Sequence, residues 1–237
     1  GSTWTEVADL LATKYAPGGV GTQTAALCIG YHSGGADTEI WNGSSWAETA
    51  NLTTGRGRAC ASVSGTTTAA LYAGGQVYPT IYALTETWNG TSWTETADLN
   101  LGRNFLMGLG VQTAMLAVGG ASTPTEPTSL QSVSETWNGT SWAEGNNINT
   151  ARNKGAAAGT TSSGMIFGGL PGGSAATETY DGTSWTEVGD LGTAVSETTG
   201  FGTTSSAICA GGNSAPTDQA SQEWSDPVYT IKTVTVS

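Results

Sequence analysis

At 237 residues the chain is long enough to bury a substantial core without disulfides, and its three cysteines (Cys28, Cys60, Cys209) show neither CxxC nor zinc-ligand spacing. Seven Lys and Arg stand against nineteen Asp and Glu, a net charge of −12, which repels a phosphate backbone and argues against nucleic acid as a partner. No apolar run approaches the roughly 18 residues of a transmembrane helix, and no basic-then-apolar leader opens the chain, so no membrane insertion is expected.

The chain begins with Thr3-Trp4-Thr5-Glu6, a fragment of a motif that returns in full as Trp41 to Glu48, Trp88 to Glu95, Trp137 to Glu144 and Tyr180 to Glu187. The second Trp of each copy falls at Trp4, Trp46, Trp93, Trp142 and Trp185, 42, 47, 49 and 43 residues apart. Five residues beyond each comes Asp or Asn, then Leu or Ile (Leu10, Leu52, Leu99, Ile148, Leu191). Four residues later stands a cation: Lys14, Arg56, Arg103 and Arg152, with Val195 in the fifth unit. A small-residue strand and an apolar strand follow, such as Phe105 to Gly110 and Thr113 to Val118, and the second ends in Gly-Gly in units two to five. The third strand closes on the first aromatic (Ser134 to Trp137) and the fourth opens at the second Trp (Ser141 to Glu144). Asn-Gly between strand-forming residues is a strong hairpin signal, read as a type I′ turn with both central residues at φ > 0. A period of about 45 residues with four short strands per unit indicates a propeller blade, all-β and antiparallel.

On Gly119-Gly120 after the second strand, Trp137 closing the third and Trp142 opening the fourth, the unit resembles the kelch repeat over about residues 3 to 225. Trp-Asn-Gly-Thr-Ser-Trp with Gln-Thr-Ala-Ala-Leu is similar to kelch-type repeats of marine phages and viral metagenomes. Kelch propellers usually carry more blades than the five supplied here. The resemblance implies a virion or extracellular setting and no single function, because fold does not specify one. Some kelch-class propellers are copper oxidases, whose metal needs Tyr, Cys and two His; the single histidine, His32, cannot supply that set.

The register leaves the fourth strand first in the chain. A five-bladed kelch-like propeller is therefore expected to close by pairing Thr3 to Ala8 against about Gln222 to Ser225, which removes an aggregation-prone edge. That makes one domain over residues 1–225, a closed monomer, with 226–237 a β-rich tail (Asp226-Pro227, then Val228 to Val236).

The chemistry is sparse. There is no HExxH, GxSxG or P-loop, so no enzyme, metal or cofactor is expected. All nine Trp sit at the repeat's two aromatic positions, where packing between blades accounts for them. A carboxylate ring, Glu39, Glu86, Glu135 and Glu178, lies two residues before each first aromatic, with Gln222 in the fifth unit. The unit that lacks the cation also lacks the carboxylate. That covariation favours a structural ion pair in each blade, because an unpaired buried charge is costly; the other reading is an anion-binding rim of Lys14, Arg56, Arg103 and Arg152 at the channel mouth. The outer Glu6, Glu48, Glu95, Glu144 and Glu187 fit edge protection.

What varies is the connection between second and third strands: Tyr31 to Asp37, Gln76 to Leu84, Ala121 to Val133, Leu170 to Ala176 and Asn213 to Ala220. Variable loops on a rigid scaffold tend to carry function. The candidate ligand-binding residues on that face are Tyr31, His32, Tyr78, Tyr82, Arg56 and Arg58. The expected function is a recognition or adhesion module for a glycan or protein, phage-type by resemblance; the alternative is a spacer propeller with no ligand of its own.

Overall fold

Short runs of Ala, Val, Leu and Thr broken by glycine leave no stretch that favours a helix over a strand. The structure, a computed structural model, describes residues 5–125, 129–213 and 221–225 and is all β among them. Blade 1 holds β1 (Gly18–Thr22), β2 (Ala25–Tyr31), β3 (Gly35–Trp41) and β4 (Trp46–Thr49). Blade 2 holds β5 (Cys60–Ala61), β6 (Ala70–Ala73), β9 (Thr85–Trp88) and β10 (Trp93–Glu95), with a small hairpin of β7 (Gln76–Val77) and β8 (Thr80–Ile81) in its loop. Blade 3 holds β11 (Met107–Val111), β12 (Ala114–Val118), β13 (Ser134–Trp137) and β14 (Trp142–Glu144). Blade 4 holds β15 (Ala156–Thr160), β16 (Ser163–Phe167), β17 (Thr177–Tyr180) and β18 (Trp185–Glu187). Blade 5 holds β19 (Thr199–Thr203), β20 (Ser206–Ala210) and β21 (Ser221–Ser225).

Each blade is an antiparallel sheet whose strands pair in sequence order, and the five form a five-bladed β-propeller. The first strands sit innermost: β1 packs on β5, β5 on β11, β11 on β15 and β15 on β19. The expected N-terminal strand falls partly on residues 1–4, outside the described ones. Residues 5–8 are exposed and take no strand, so blade 5 shows three strands among the described residues. In blades 2 to 4 the fourth strand opens at a buried Trp (Trp93, Trp142, Trp185); Trp4, expected at that position for blade 5, lies outside the described residues. The tail over 226–237 also lies outside the described residues.

The Asn-Gly turns differ from the type I′ expectation. The strand pairs Trp41↔Trp46, Trp88↔Trp93 and Trp137↔Trp142 enclose four residues, and only the glycines, Gly43, Gly90 and Gly139, have positive φ (95°, 93° and 96°). The Asn acts through its side chain instead: Asn42 Oδ1 accepts the N–H of Ser44 and Ser45, both at 2.9 Å, and Asn89, Asn138 and Asp181 do the same in their blades. The local carboxamide outcompetes a two-residue turn.

Two features lock blade to blade. Directly opposed Trp rings share one face of each sheet, at centroid distances of 5.4 Å in blades 1 to 3. In blades 2 and 3 the second indole reaches the preceding blade, Trp93 Nε1 donating to Thr38 Oγ1 and Trp142 Nε1 to Thr85 Oγ1, both at 3.0 Å. The Gly-Gly pairs admit the next blade's backbone: Gly119 has φ +63°, and a Cβ there would sit 2.4 Å from Arg152 O. Gly120 N donates to that same carbonyl at 2.8 Å. The core is correspondingly split into four clusters, one at each junction from blades 1–2 to blades 4–5.

Candidate functional site at the channel mouth

Two residues past each repeated cation position come Ala16, Arg58, Phe105, Lys154 and Glu197. All five take the left-handed conformation, with φ of 52°, 59°, 49°, 55° and 55°. Such a φ is unfavourable for side chains of this size. What holds it is a relay of backbone bonds round the axis: Arg58 N donates to Ala16 O (3.1 Å), Phe105 N to Arg58 O (2.7 Å), Lys154 N to Phe105 O (3.0 Å) and Glu197 N to Lys154 O (2.7 Å). Identical backbone therefore presents five different side chains at the mouth of the channel. With Tyr15, Pro17 and Leu106 they line a cavity of about 350 Å³.

Its electrostatics are graded. The Arg58 guanidinium lies 4.5 Å from the centre of the Phe105 ring, and Lys154 Nζ lies 4.6 Å from the same ring. Lys154 Nζ also pairs with Glu197 Oε1 at 2.6 Å. His32 packs edge-on against Tyr15, 5.7 Å between centroids. Burial, and after it the positive charge of Arg58, holds the His32 imidazole below its ordinary pKa. Among the described residues no group of three or more His, Cys, Asp or Glu is placed to hold a metal ion.

The cation ring read from the sequence lies elsewhere. Lys14 Nζ is 3.3 Å from Glu39 Oε1, Arg56 Nη1 2.5 Å from Glu86 Oε1, Arg103 Nη2 2.7 Å from Glu135 Oε1 and Arg152 Nη2 2.5 Å from Glu178 Oε1. Arg56 also donates to the carbonyls of Gly74, Thr54, Tyr72 and Leu84. It is fully buried and satisfied, so it is not available as the ligand contact the sequence suggested. Burial pushes the Arg103 and Arg152 guanidinium pKa down, and the facing Glu135 and Glu178 oppose that shift. The second oxygen of each Glu accepts a backbone N–H: Leu11 to Glu39, Thr53 to Glu86, Asn100 to Glu135 and Asn149 to Glu178. In blade 5 Val195 removes the cation, and Gln222 bonds Thr193 on both sides, Oε1 to its N–H and Nε2 to its carbonyl, each at 2.9 Å. A neutral amide, itself donor and acceptor, replaces the ion pair without stranding a charge.

Of the remaining candidates, His32 and Arg58 belong to the channel mouth. Tyr31 packs between Lys14, whose Nζ is 5.0 Å from its ring, and Gly35, where an added Cβ would enter the ring. Tyr78, next to a cis bond to Pro79, is 65% exposed on the loop joining β7 and β8, and Tyr82 is half-buried below it. Phe105, Lys154, Glu197 and Tyr15 were not singled out from the sequence. The available signal was a column of the repeat in which every unit differs, two residues from one in which four units agree.

No protein-family model matches the sequence, and no curated protein matches it. Among solved structures 195 chains match. One, titled "Structure of YjhT", superposes with a TM-score of 0.72 at 10% sequence identity, over 87% of this chain and 75% of that one. At that identity the likeness is one of fold.

Proposed function

We propose that the protein is a non-enzymatic recognition module of kelch-like, phage type, binding a glycan or a protein surface on the face that carries the channel mouth. The observation behind this is the left-handed ring: the fold holds five equivalent backbone positions fixed and fills them with Ala16, Arg58, Phe105, Lys154 and Glu197. Residues that serve the common architecture repeat from blade to blade, as the Trp pairs do; residues that vary at a fixed position on a rigid rim are free to serve a ligand. Exposed Tyr78 extends that face with an amphipathic contact that suits sugars and polar protein surfaces. The three thiols, Cys28, Cys60 and Cys209, are buried, and none of them lines this cavity.

The test is a glycan array and a cell-binding assay with the wild-type chain, repeated with Phe105→Ala plus Lys154→Ala and with Tyr78→Ala plus Tyr82→Ala. The module reading expects binding that the first pair abolishes and the second weakens. Binding indifferent to both pairs would move the site off this face. Silence towards every glycan and cell would favour the spacer role.

A further inference from the structure

The described cations divide unevenly. Lys14, Arg56, Arg103, Arg152 and Lys154 each lie within 4.0 Å of a carboxylate oxygen. Arg58 is the one cation among the described residues without such a partner. Its Nε is buried with no hydrogen-bond partner, and so is His32 Nδ1, whose imidazole feels the Arg58 charge. A chain with nineteen acidic residues against seven basic ones has carboxylates to spare, yet none of the described ones pairs with Arg58, whose half-buried side chain lines the cavity with its charge unmatched.

We propose that Arg58 anchors an oxyanion subsite in the channel mouth, taking the carboxylate, sulfate or phosphate group of a monosaccharide-sized ligand; this rests on the channel mouth being the binding surface. Four features of the cavity fit. The Phe105 ring lies 4.5 Å from the guanidinium and walls the cavity beside it, and the terminal N–H groups of an arginine suit a planar or tetrahedral oxyanion. Lys154, 4.6 Å from the same ring, is paired with Glu197, which keeps it from competing for the anion. Ala16, whose carbonyl accepts the Arg58 backbone N–H, is too short to fill the cavity beside it. The volume, about 350 Å³, suits one sugar unit and sits at the small end of ligand pockets. Glu197 then faces the uncharged part of the ligand, where a carboxylate accepts from hydroxyl groups.

Calorimetric titration of the full chain with glucuronate, glucose 6-sulfate and glucose 6-phosphate, with glucose as the neutral control, tests this. At least one charged sugar is expected to bind about tenfold or more tightly than glucose, and Arg58→Gln to remove that margin, the difference between a charge-assisted and a neutral contact. Arg58→Lys should keep part of it, and Glu197→Gln should leave it intact or enlarge it. Inorganic sulfate that binds the wild type and not Arg58→Gln also supports the subsite. An unchanged melting temperature shows that Arg58→Gln is folded; should it not be, the wild-type Arg58 Hε resonance must shift on adding glucuronate. Equal binding of glucose and the charged sugars, charged-sugar binding that survives in folded Arg58→Gln, or no binding of any oxyanion probe at millimolar concentration overturns the proposal. Array binding of neutral glycans lost with Phe105→Ala plus Lys154→Ala would keep the recognition reading and sink the oxyanion subsite. A silent array with Arg58-dependent sulfate binding would do the reverse.

Discussion

Blades 3 and 5 are built from one repeat and solve it differently. In blade 3 Arg103 and Glu135 are fully buried and 2.7 Å apart, and Leu109 and Leu116 are sealed against blade 4. In blade 5 the same positions hold Val195, Gln222, Phe201 and Ile208; the amide bonds one turn of backbone, while Phe201 and Ile208 are 53% and 39% exposed. The difference lies in context more than in residue type. A buried charge must be matched by a buried countercharge, and an apolar side chain contributes stability only where another blade covers it.

The largest effect should come from splitting the charge pair. Arg103→Ala or Glu135→Ala alone should lose about 3–5 kcal/mol in denaturant unfolding, because each strands a buried charge. Copying blade 5 with Arg103→Val plus Glu135→Gln should recover most of that loss. A double variant as unstable as the sum of the singles would mean that the blade 5 arrangement does not transfer. Next, Leu109→Ala should cost about 2–5 kcal/mol as a core cavity, whereas Phe201→Ala at the equivalent exposed position should stay within about 0.5 kcal/mol. Equal losses would show that blade 5's face is as covered in solution as blade 3's.

The thiols sharpen the same contrast kinetically. Burial pushes the Cys60 thiol up to about 12, partly offset by Arg103, while Cys209 in blade 5 is raised by burial and eased by its contact with Thr198. Since the thiolate is the reactive form, native protein at pH 8 should label at Cys209 well before Cys60. Residue-resolved mass spectrometry after timed alkylation reads the order; Cys60 reacting first would break the comparison. The smallest effect concerns His32, whose repeat counterpart in blade 5 is Asn213. Its folded pKa lies below the ordinary 6.5, so the folded state binds fewer protons than the unfolded chain there. Its contribution is fully present above that value and is lost as pH falls through it towards the folded pKa. His32→Asn, which copies blade 5, should flatten the stability profile over that window, and an unchanged slope would count against the assignment.

Much of the architecture was legible because it is local and repeated. Strand length, turn residues, Gly-Gly and the paired aromatics recur in each unit, and a recurrence every 42 to 49 residues leaves few folds besides a propeller. The covariation of Val195 with Gln222 is a contact signal of the same kind, although it does not tell that the amide binds Thr193. The Asn-Gly turns show where local reading fails: the dipeptide suits a two-residue turn, yet the Asn carboxamide bonds two later N–H groups and sets a four-residue one.

By itself, then, the sequence determined the blade, its strand order, the number of units and the packing role of the tryptophans, since these follow from spacing and side-chain chemistry within one repeat. Only the tertiary structure decided which side chains reach the channel. Arg56 and Arg58 are two residues apart and would share a face in a regular strand; instead Arg56 is buried on Glu86, and Arg58, at φ 59°, points into the cavity. The left-handed turn between those fates is held by backbone bonds from neighbouring blades, which no single repeat contains.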